Sequence, residues 1–444
     1  MSHAKQLHHR RYFDDYLEII NRQGLPGNVK TELCQHVNHA VMATTQSVIE
    51  QALEAELTAY LGAERYEHLP FGRGPEQTRS GYYSRELITQ YGRIADLQVP
   101  KLRKGNRAFE WETISRYERC WGPFLDQHVM QYCLGLSLRD LQESIHMTLG
   151  EVVSLSACNR IVMAVGEQVD AFKSAPIEAP PPIVLVDGMW VKIAYPNGER
   201  RVDAQGRRRS VKRKHKRVML SALGVWPDGH WEIVHWQIAS GENETTWKTF
   251  FGQLYAKGLT EETTKLVVSD GAKGLEAALD YHFYGVPHQR CLFHKIKNIA
   301  DHLLYGALEL EGEASDEKAK RKAKTVRKKA ILADAGAIYD GDVERDIRAQ
   351  AAVFRATWQE REPQAVAAFF SDFDQTLAYL KVDFPPSLAV LIRTTNRLER
   401  FHKEMRRKQR DIGMFQSEAG CEAIWYLLAV RETAKQKAAL QSRC

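Results

Sequence analysis

The sequence predicts an α/β chain built on a mixed β-sheet, with an all-helical stretch inserted into it and a mostly helical region ahead of it. Three observations carry this expectation. Ile183-Val184-Leu185-Val186 is a continuous apolar run, the mark of a strand buried on both faces. Strand and helix signals then follow in the order β-β-β-α-β-α-β, which gives an antiparallel set extended by parallel strands and layered by helices. From Ile296 to about Phe384 strand signals vanish and Ala, Lys, Glu and Arg dominate, so helices are expected there.

The 444 residues leave room for about two to four domains. A hydrophobic fraction of 44% with 27% charged residues is ordinary for globular proteins and excludes collagen-like, wholly disordered and disulfide-scaffold classes. No run approaches the ~18 apolar residues of a membrane span, and Met1-Ser2-His3-Ala4-Lys5-Gln6 lacks an apolar signal core. A soluble, cytoplasmic protein is expected. The 7 cysteines are odd in number and scattered, which suits reduced thiols.

Residues 28–61 carry Val29, Leu33, Val37, Val41, Val48, Leu53 and Leu57 near helical spacing, with Gly62 as the stop, so 1–70 reads as a helical region and a candidate oligomer contact. Between Phe71 and Gly105 glycine and proline punctuate short alternating runs such as Ile94-Ala95-Asp96-Leu97-Gln98-Val99, and 71–112 reads as a small basic β-element. In 113–175 one helix opens at Leu136 after Gly135 and a second covers Ser154 to Val162. The pair fits a helix-turn-helix that would present Asn159 and Arg160 to DNA, although most helical hairpins bind none. Prolines at 176, 180, 181 and 182 mark a boundary.

The sheet opens at Ile183. Arg217–Trp226 and Trp231–Ile238 read as two further strands joined at Pro227-Asp228-Gly229, Glu242–Lys257 as a helix, and Lys265–Ser269 as a strand. Ala272–His282 reads as a helix and Pro287–Cys291 as a last strand. This first part of the core spans 183–294. An all-helical insertion, 295–386, carries a charged segment, Glu309–Lys329, expected to be mobile, and 387–444 returns the closing helices, the strongest from Thr395 to Gln409.

Net charge is only +6, but the basic residues cluster. Arg200, Arg201, Arg207, Arg208, Arg209, Lys212, Arg213, Lys214, Lys216 and Arg217 crowd one segment, and Lys318–Lys329 and Arg393–Arg410 form two more. A single such run is ordinarily a solvated face. Three point to nucleic acid, because each phosphate neutralised releases counterions.

Asp187 and Asp270 each end an apolar run and each precede a glycine. A carboxylate so placed is costly unless it is paired or binds a cation. Glu399 lies on the helix Arg393 to Arg407, where Leu398, Phe401 and Met405 form a packing stripe while Asn396, Lys403 and Arg406 share the other face, with Arg407 beside them. An amphipathic surface helix laced by salt bridges is the plain alternative for Glu399. Three hard oxygen ligands beside basic runs suit Mg²⁺, with Mn²⁺ as a substitute, and two such ions ~4 Å apart would serve phosphoryl transfer in a nuclease or strand-transfer enzyme. His282, His288, Cys291 and His294 have a spacing that could supply zinc ligands, but one Cys-x2-His pair is a weak metal signal, and bracing of the last strand is the preferred reading.

Several motifs carry a resemblance. Gly241-Glu242-Asn243-Glu244 with Trp247, Val268-Ser269-Asp270-Gly271 with Gly274-Leu275, Gln289-Arg290-Cys291-x-x-His294 and Asn396-x-x-Glu399 resemble the transposases of bacterial Mutator-type insertion sequences. Leu61-Gly62-Ala63-Glu64-Arg65-Tyr66, Gly81-Tyr82-Tyr83 and Gly135-Leu136-Ser137-Leu138-Arg139-Asp140-Leu141 agree in the first half. The resemblance implies a ribonuclease H-like core of the DDE type interrupted by a helical insertion, with Asp187, Asp270 and Glu399 as metal-binding triad and Cys291 and His294 as the C/D-x-x-H element. It further implies recognition of double-stranded terminal inverted repeats, Mg²⁺-dependent cleavage, strand transfer and a homodimer or higher oligomer on DNA. The basic segment from about Pro196 to Lys216 departs from the family's short turn and is expected to be a loop that tracks DNA or a plain insertion. The alternative is a non-catalytic, sequence-specific DNA-binding protein derived from a transposase.

Overall fold

The structure is a computed structural model that describes residues 27–67, 78–103, 109–115, 118, 120–149, 158–159, 162–163, 165–202, 206–305, 317–341 and 343–441. The chain divides into two compact units, Met1–Ala164 and Val165–Cys444.

In the first unit, helix α1 (Gly27–Leu61) packs beside an antiparallel hairpin of β1 (Arg79–Thr89) and β2 (Gly92–Leu102). The buried stripe of α1 is Ile49, Leu53, Leu57 and Leu61, at i+4 steps, and it meets Leu87, Ile94, Leu97, Val99 and Leu102 of the hairpin. The sequence expectation included Val37 and Val48 in that stripe, yet both are more than half exposed: Val37 lies about three turns before Ile49, short of the hairpin, and Val48 points about 100° away from the Ile49–Leu61 stripe. Two shorter helices follow, α2 (Gly122–Leu134) and α3 (Leu138–Leu149). Ser137 and Asp140 start α3 reciprocally: the Ser137 N–H donates to Asp140 Oδ2 and the Asp140 N–H to Ser137 Oγ. Of the expected second helix, Cys158, Asn159, Val162 and Met163 are helical, and Arg160 lies outside the described residues.

The second unit opens with α4 (Gly166–Ser174) and is built on a five-stranded sheet of β3 (Ile183–Val202), β4 (Arg208–Val225), β5 (Trp231–Ala239), β6 (Leu266–Ser269) and β7 (His288–Arg290). The order is β5-β4-β3-β6-β7, antiparallel among β3, β4 and β5, and parallel from β3 through β6 to β7. This is the mixed α/β sheet expected. Helices α5 (Glu244–Ala256) and α6 (Lys273–His282) cover one face, where Trp247, Phe250, Phe251, Leu254, Leu275 and Leu279 bury Val184, Val186, Val218 and Leu220. Each such fully buried side chain contributes roughly 1.5–3 kcal/mol.

A helical layer interrupts the sheet's companions after β7: α7 (Leu292–Asp301), α8 (Glu317–Ala337), α9 (Glu344–Trp358) and α10 (Pro363–Phe370), then a 3₁₀ segment, Phe373–Lys381, and the single turn α11 (Ala389–Ile392). Its core joins Ile299, Ile331, Ile347, Phe354, Trp358 and Phe369. The charged segment expected to be mobile is corrected here, since Glu317–Lys329 is helical within α8, while 309–316 lies outside the described residues. The chain closes with α12 (Asn396–Ile412) and α13 (Glu418–Gln441). Phe401 of α12 and Trp425 of α13 meet edge to face, both fully buried.

Two further expectations are corrected. Asp187 does not end its strand, because β3 runs on to Val202. The basic segment is not a loop: β3 and β4 stay paired from Ile183↔Val225 out to Val202↔Arg208, so most of it forms the outer half of a long two-stranded ribbon. Its Lys and Arg side chains need no core to hold them, because ladder hydrogen bonds to the other strand satisfy the backbone.

Candidate active site

Parallel pairing places the two aspartates side by side. Leu185 pairs with Val268, so Asp187, two residues further along β3, stands level with Asp270, which directly follows β6. Asp270 follows β6 directly and Gly271 turns the chain at φ +76, where an added Cβ would lie 1.9 Å from Arg290 Nη1. That guanidinium donates to the Gly271 carbonyl and pairs with Asp372, so glycine is demanded by both conformation and space. Asp372 in turn pairs with Lys295, a fully buried lysine of α7, which ties the Asp270 turn to the helical layer.

Helix α12 brings two side chains to the same place at an i, i+3 spacing. His402, fully buried, has Nδ1 3.3 Å from Asp187 Oδ2 and Nε2 2.9 Å from Ser221 Oγ, and Ser221 donates to the Asp187 carbonyl. Glu399, one turn earlier, lies 3.7 Å from His294 Nε2. Cys291 holds the start of this helix, accepting at Sγ from the Thr395 N–H and hydroxyl, both at 3.3 Å. Thr395 Oγ1 also lies 3.3 Å from Glu399 Oε1. Cys291, His294 and Glu399 present donor atoms within 4.8 Å of one another. A hydrogen bond to Cys291 raises the pKa of His294 to about 9, against burial and with help from Glu399 and Asp187. Burial alone would push the Cys291 thiol up, but hydrogen bonds from His294 and Thr395 bring it below its ordinary value. His282 and His288 take no part in this group, since His288 Nε2 bonds Ser269 Oγ and His282 sits at the end of α6 against Gly252.

Glu242 and His402 were missed as site residues by sequence reasoning. Glu242 precedes Asn243, the N-cap of α5, whose side chain accepts from the Thr246 N–H in a capping box that fixes the entry to the helix. Its Oε1 lies 2.6 Å from where a Cβ on Gly188 would stand, so its carboxylate occupies the space the glycine leaves beside Asp187. Burial raises the Glu242 pKa, and the charges of Asp270 and Asp187 add to the rise. The sequence signal for it was the glycine after Asp187, which left room without saying for what.

The residues expected to meet DNA lie in three places. Asn159 is exposed on the first unit. Arg207, Arg208, Arg209, Lys212, Arg213 and Lys214 are exposed on the outer ribbon, where Lys212 Nζ also reaches the Gln416 carbonyl and Arg213 lies 3.7 Å from Glu199. Asn396, Lys403, Arg406 and Arg407 are exposed on α12, with Arg407 paired to Glu404.

The profile of the family described as "Transposase, Mutator family" matches residues 27–309 and 316–438, nearly the whole chain. The chain belongs to that family. The transposase for insertion sequence element ISRM5 of Rhizobium meliloti (strain 1021) is 27% identical over 385 residues, covering 87% of this chain and 85% of its own length. The transposase for insertion sequence element IS256 in transposon Tn4001 of Staphylococcus aureus is 30% identical over 258 residues, 57% of this chain and 59% of its own. Among solved structures, the Drosophila P element transposase strand transfer complex aligns over 69% of this chain and 91% of that one, at 12% identity and a TM-score of 0.39. Among the described residues no helix is long and apolar enough to cross a membrane.

Proposed function

We propose that the chain is a DDE transposase that binds the terminal inverted repeats of an insertion sequence and cleaves and joins DNA by metal-dependent phosphoryl transfer at Asp187, Asp270 and Glu399. The observation that carries this reading is the level placement of Asp187, on β3, and Asp270, directly after the parallel β6, with Glu399 brought in on the helix whose His402 touches Asp187. The strand order, three antiparallel strands followed by two parallel ones, supports the ribonuclease H-like core that the family resemblance implies.

The donor set fits Mg²⁺ or Mn²⁺. Asp187, Asp270 and Glu399 offer hard carboxylate oxygens, and burial, with the charges of Asp270 and Asp187 adding to it, raises the pKa of the adjacent Glu242, an effect a bound cation would oppose. Divalent ions held there supply a deprotonated nucleophile and charge stabilisation for in-line displacement. The chain's own residues do the positioning. His402 and Ser221 hold Asp187, while Cys291, through Thr395, fixes the helix start that carries Glu399. The exposed ribbon cations and those of α12 hold phosphates. Asn159 and Arg160, in a helix-turn-helix within 113–175, read the repeat, and 1–70 joins protomers so that two element ends meet.

The test is cleavage and strand joining on labelled double-stranded DNA carrying the flanking repeats, with Mg²⁺ or with chelator, for wild type and Glu399→Gln. Metal-dependent cleavage at the repeat end is expected, reduced by a factor of about 10³ or more in the variant while repeat binding persists. Repeat-specific binding without cleavage under any divalent metal would sink this reading and favour the DNA-binding descendant.

A further inference from the structure

The helical layer on the α5–α6 face of the sheet reaches Glu242, above Gly188, and beyond it Trp190 and Lys192 are exposed. The next residue of β3 on that face is Trp190, two positions from Gly188 and so ~7 Å along the strand. Its indole is 50% exposed, while Met189, Val191 and Ile193 on the other face are buried. Outward from Trp190, cross-strand pairs bring Lys192 beside Lys216, Ala194 beside Lys214 and Pro196 beside Lys212. Paired residues share a face, so one aromatic ring and four exposed lysines form a single row leading away from Gly188 and Glu242, on the face of β3 opposite the Asp187 side chain.

We infer that this row binds an unpaired stretch of DNA next to the point of cleavage, with a base stacked on Trp190 and phosphates on Lys192, Lys214 and Lys216. The inference rests on the proposed reading that DNA reaches the three carboxylates. The lysines match a polyanion, but they do not separate duplex from single strand. The indole does, because bases inside a duplex stack on one another and offer a side chain only their edges, whereas an unpaired base offers its face. A broad ring at the inner end of a lysine row, two strand residues beyond Gly188 and Glu242, suits a strand opened where it is cut.

The experiment uses the full chain in chelator, so that binding is read apart from cleavage. Affinities are measured for short oligo(dT) and for a duplex of equal length, with wild type, Trp190→Ala, Trp190→Phe and the combined Lys192→Gln, Lys214→Gln, Lys216→Gln variant. Trp190→Ala is expected to weaken oligo(dT) binding about tenfold while changing duplex binding by less than about twofold, and Trp190→Phe to recover most of the loss. The lysine variant is expected to weaken both and to flatten the salt dependence. Oligo(dT) carrying 5-iododeoxyuridine should photocrosslink to Trp190. Oligo(dT) affinity unchanged in Trp190→Ala together with crosslinks only elsewhere would overturn the inference. So would a change in oligomeric mass with DNA binding intact, which would make the row a contact between copies. If wild type cleaves repeat DNA and Trp190 proves silent, this inference falls and the catalytic reading stands; stacking on Trp190 without cleavage would keep the single-strand row and remove the catalytic reading.

Discussion

Gly188 is the backbone position on which the carboxylate group most directly depends. An alanine there would place Cβ 2.6 Å from Glu242 Oε1 and 3.2 Å from Val218 Cγ2, and Val218 is locked in the core, so Glu242 must move. Gly188→Ala is therefore expected to lower cleavage at least about tenfold with a stability loss of only ~1–2 kcal/mol, and adding the shorter Glu242→Asp should recover part of the activity. Equal activity in Gly188→Ala would show that Glu242 does not matter to the site. Cys291 makes a second case. Cys291→Ala leaves the buried Thr395 N–H without its acceptor, at a cost of ~1–3 kcal/mol, whereas Cys291→Ser keeps an acceptor and should retain more stability and more activity; a serine variant as impaired as the alanine would remove the hydrogen-bonding role. Asp187, Asp270 and Glu399 were legible as candidates because charge at the end of an apolar run, or amid cations on an amphipathic helix, stands out in one dimension. Glu242 and His402 were not, because what defines them is the neighbour across the fold. His402 still left a trace: Glu399-x-x-His402 is the i, i+3 spacing that points two polar groups the same way.

At the scale of elements, the apolar strands and the amphipathic helices were readable from periodicity, and the polar ones were misread. The segment from Pro196 to Lys216 carries no apolar alternation, so nothing in it announces a strand, yet β3 propagates into it through cross-strand pairing. The start of α8 was misread for a related reason. Its Lys- and Arg-rich sequence favours helix by propensity, but charge density suggested a mobile chain until Ile331 and Ala335, further along, anchored it in a core. The ribbon yields a prediction of its own kind. Replacing Arg207, Arg208, Arg209 and Arg213 by Gln should leave the thermal midpoint nearly unchanged, since all four are exposed. The slope of log affinity against log salt for duplex DNA should shrink by about 0.9 for each phosphate the ribbon no longer neutralises. An unaltered slope would mean the outer ribbon does not touch DNA.

At the scale of the whole molecule, sheet stability is linked to pH through a buried histidine two strands away from the one that carries Asp187. His235 of β5 is 2% exposed; its Nε2 donates to Gln253 Oε1 and its Nδ1 has no partner. Burial, outweighing that hydrogen bond, pushes its pKa down to about 4, and the charges of Lys257 and Lys173 act in the same direction. The unfolded chain, with an ordinary histidine near 6.5, therefore binds the proton more readily than the folded one. Stability from this residue is complete above the unfolded value and is lost as pH falls from there toward about 4. The loss from His235 alone is expected to reach about 2 kcal/mol between about pH 7.5 and about pH 5. His288, also pushed down to about 4 by burial first, adds a loss over the same window, so the wild-type curve should be steeper than one histidine accounts for. The informative comparison is His235→Phe, which keeps a ring in the core beside Phe250 but cannot titrate. That variant should be less stable at neutral pH, by ~1–2 kcal/mol, because Gln253 loses its donor. Its urea midpoint should nevertheless fall less than the wild type's on acidification, so that the two curves converge toward pH ~5. Parallel curves would show that His235 takes up a proton as readily in the fold as in the unfolded chain, and the assignment of a neutral imidazole beneath the sheet would have to be withdrawn.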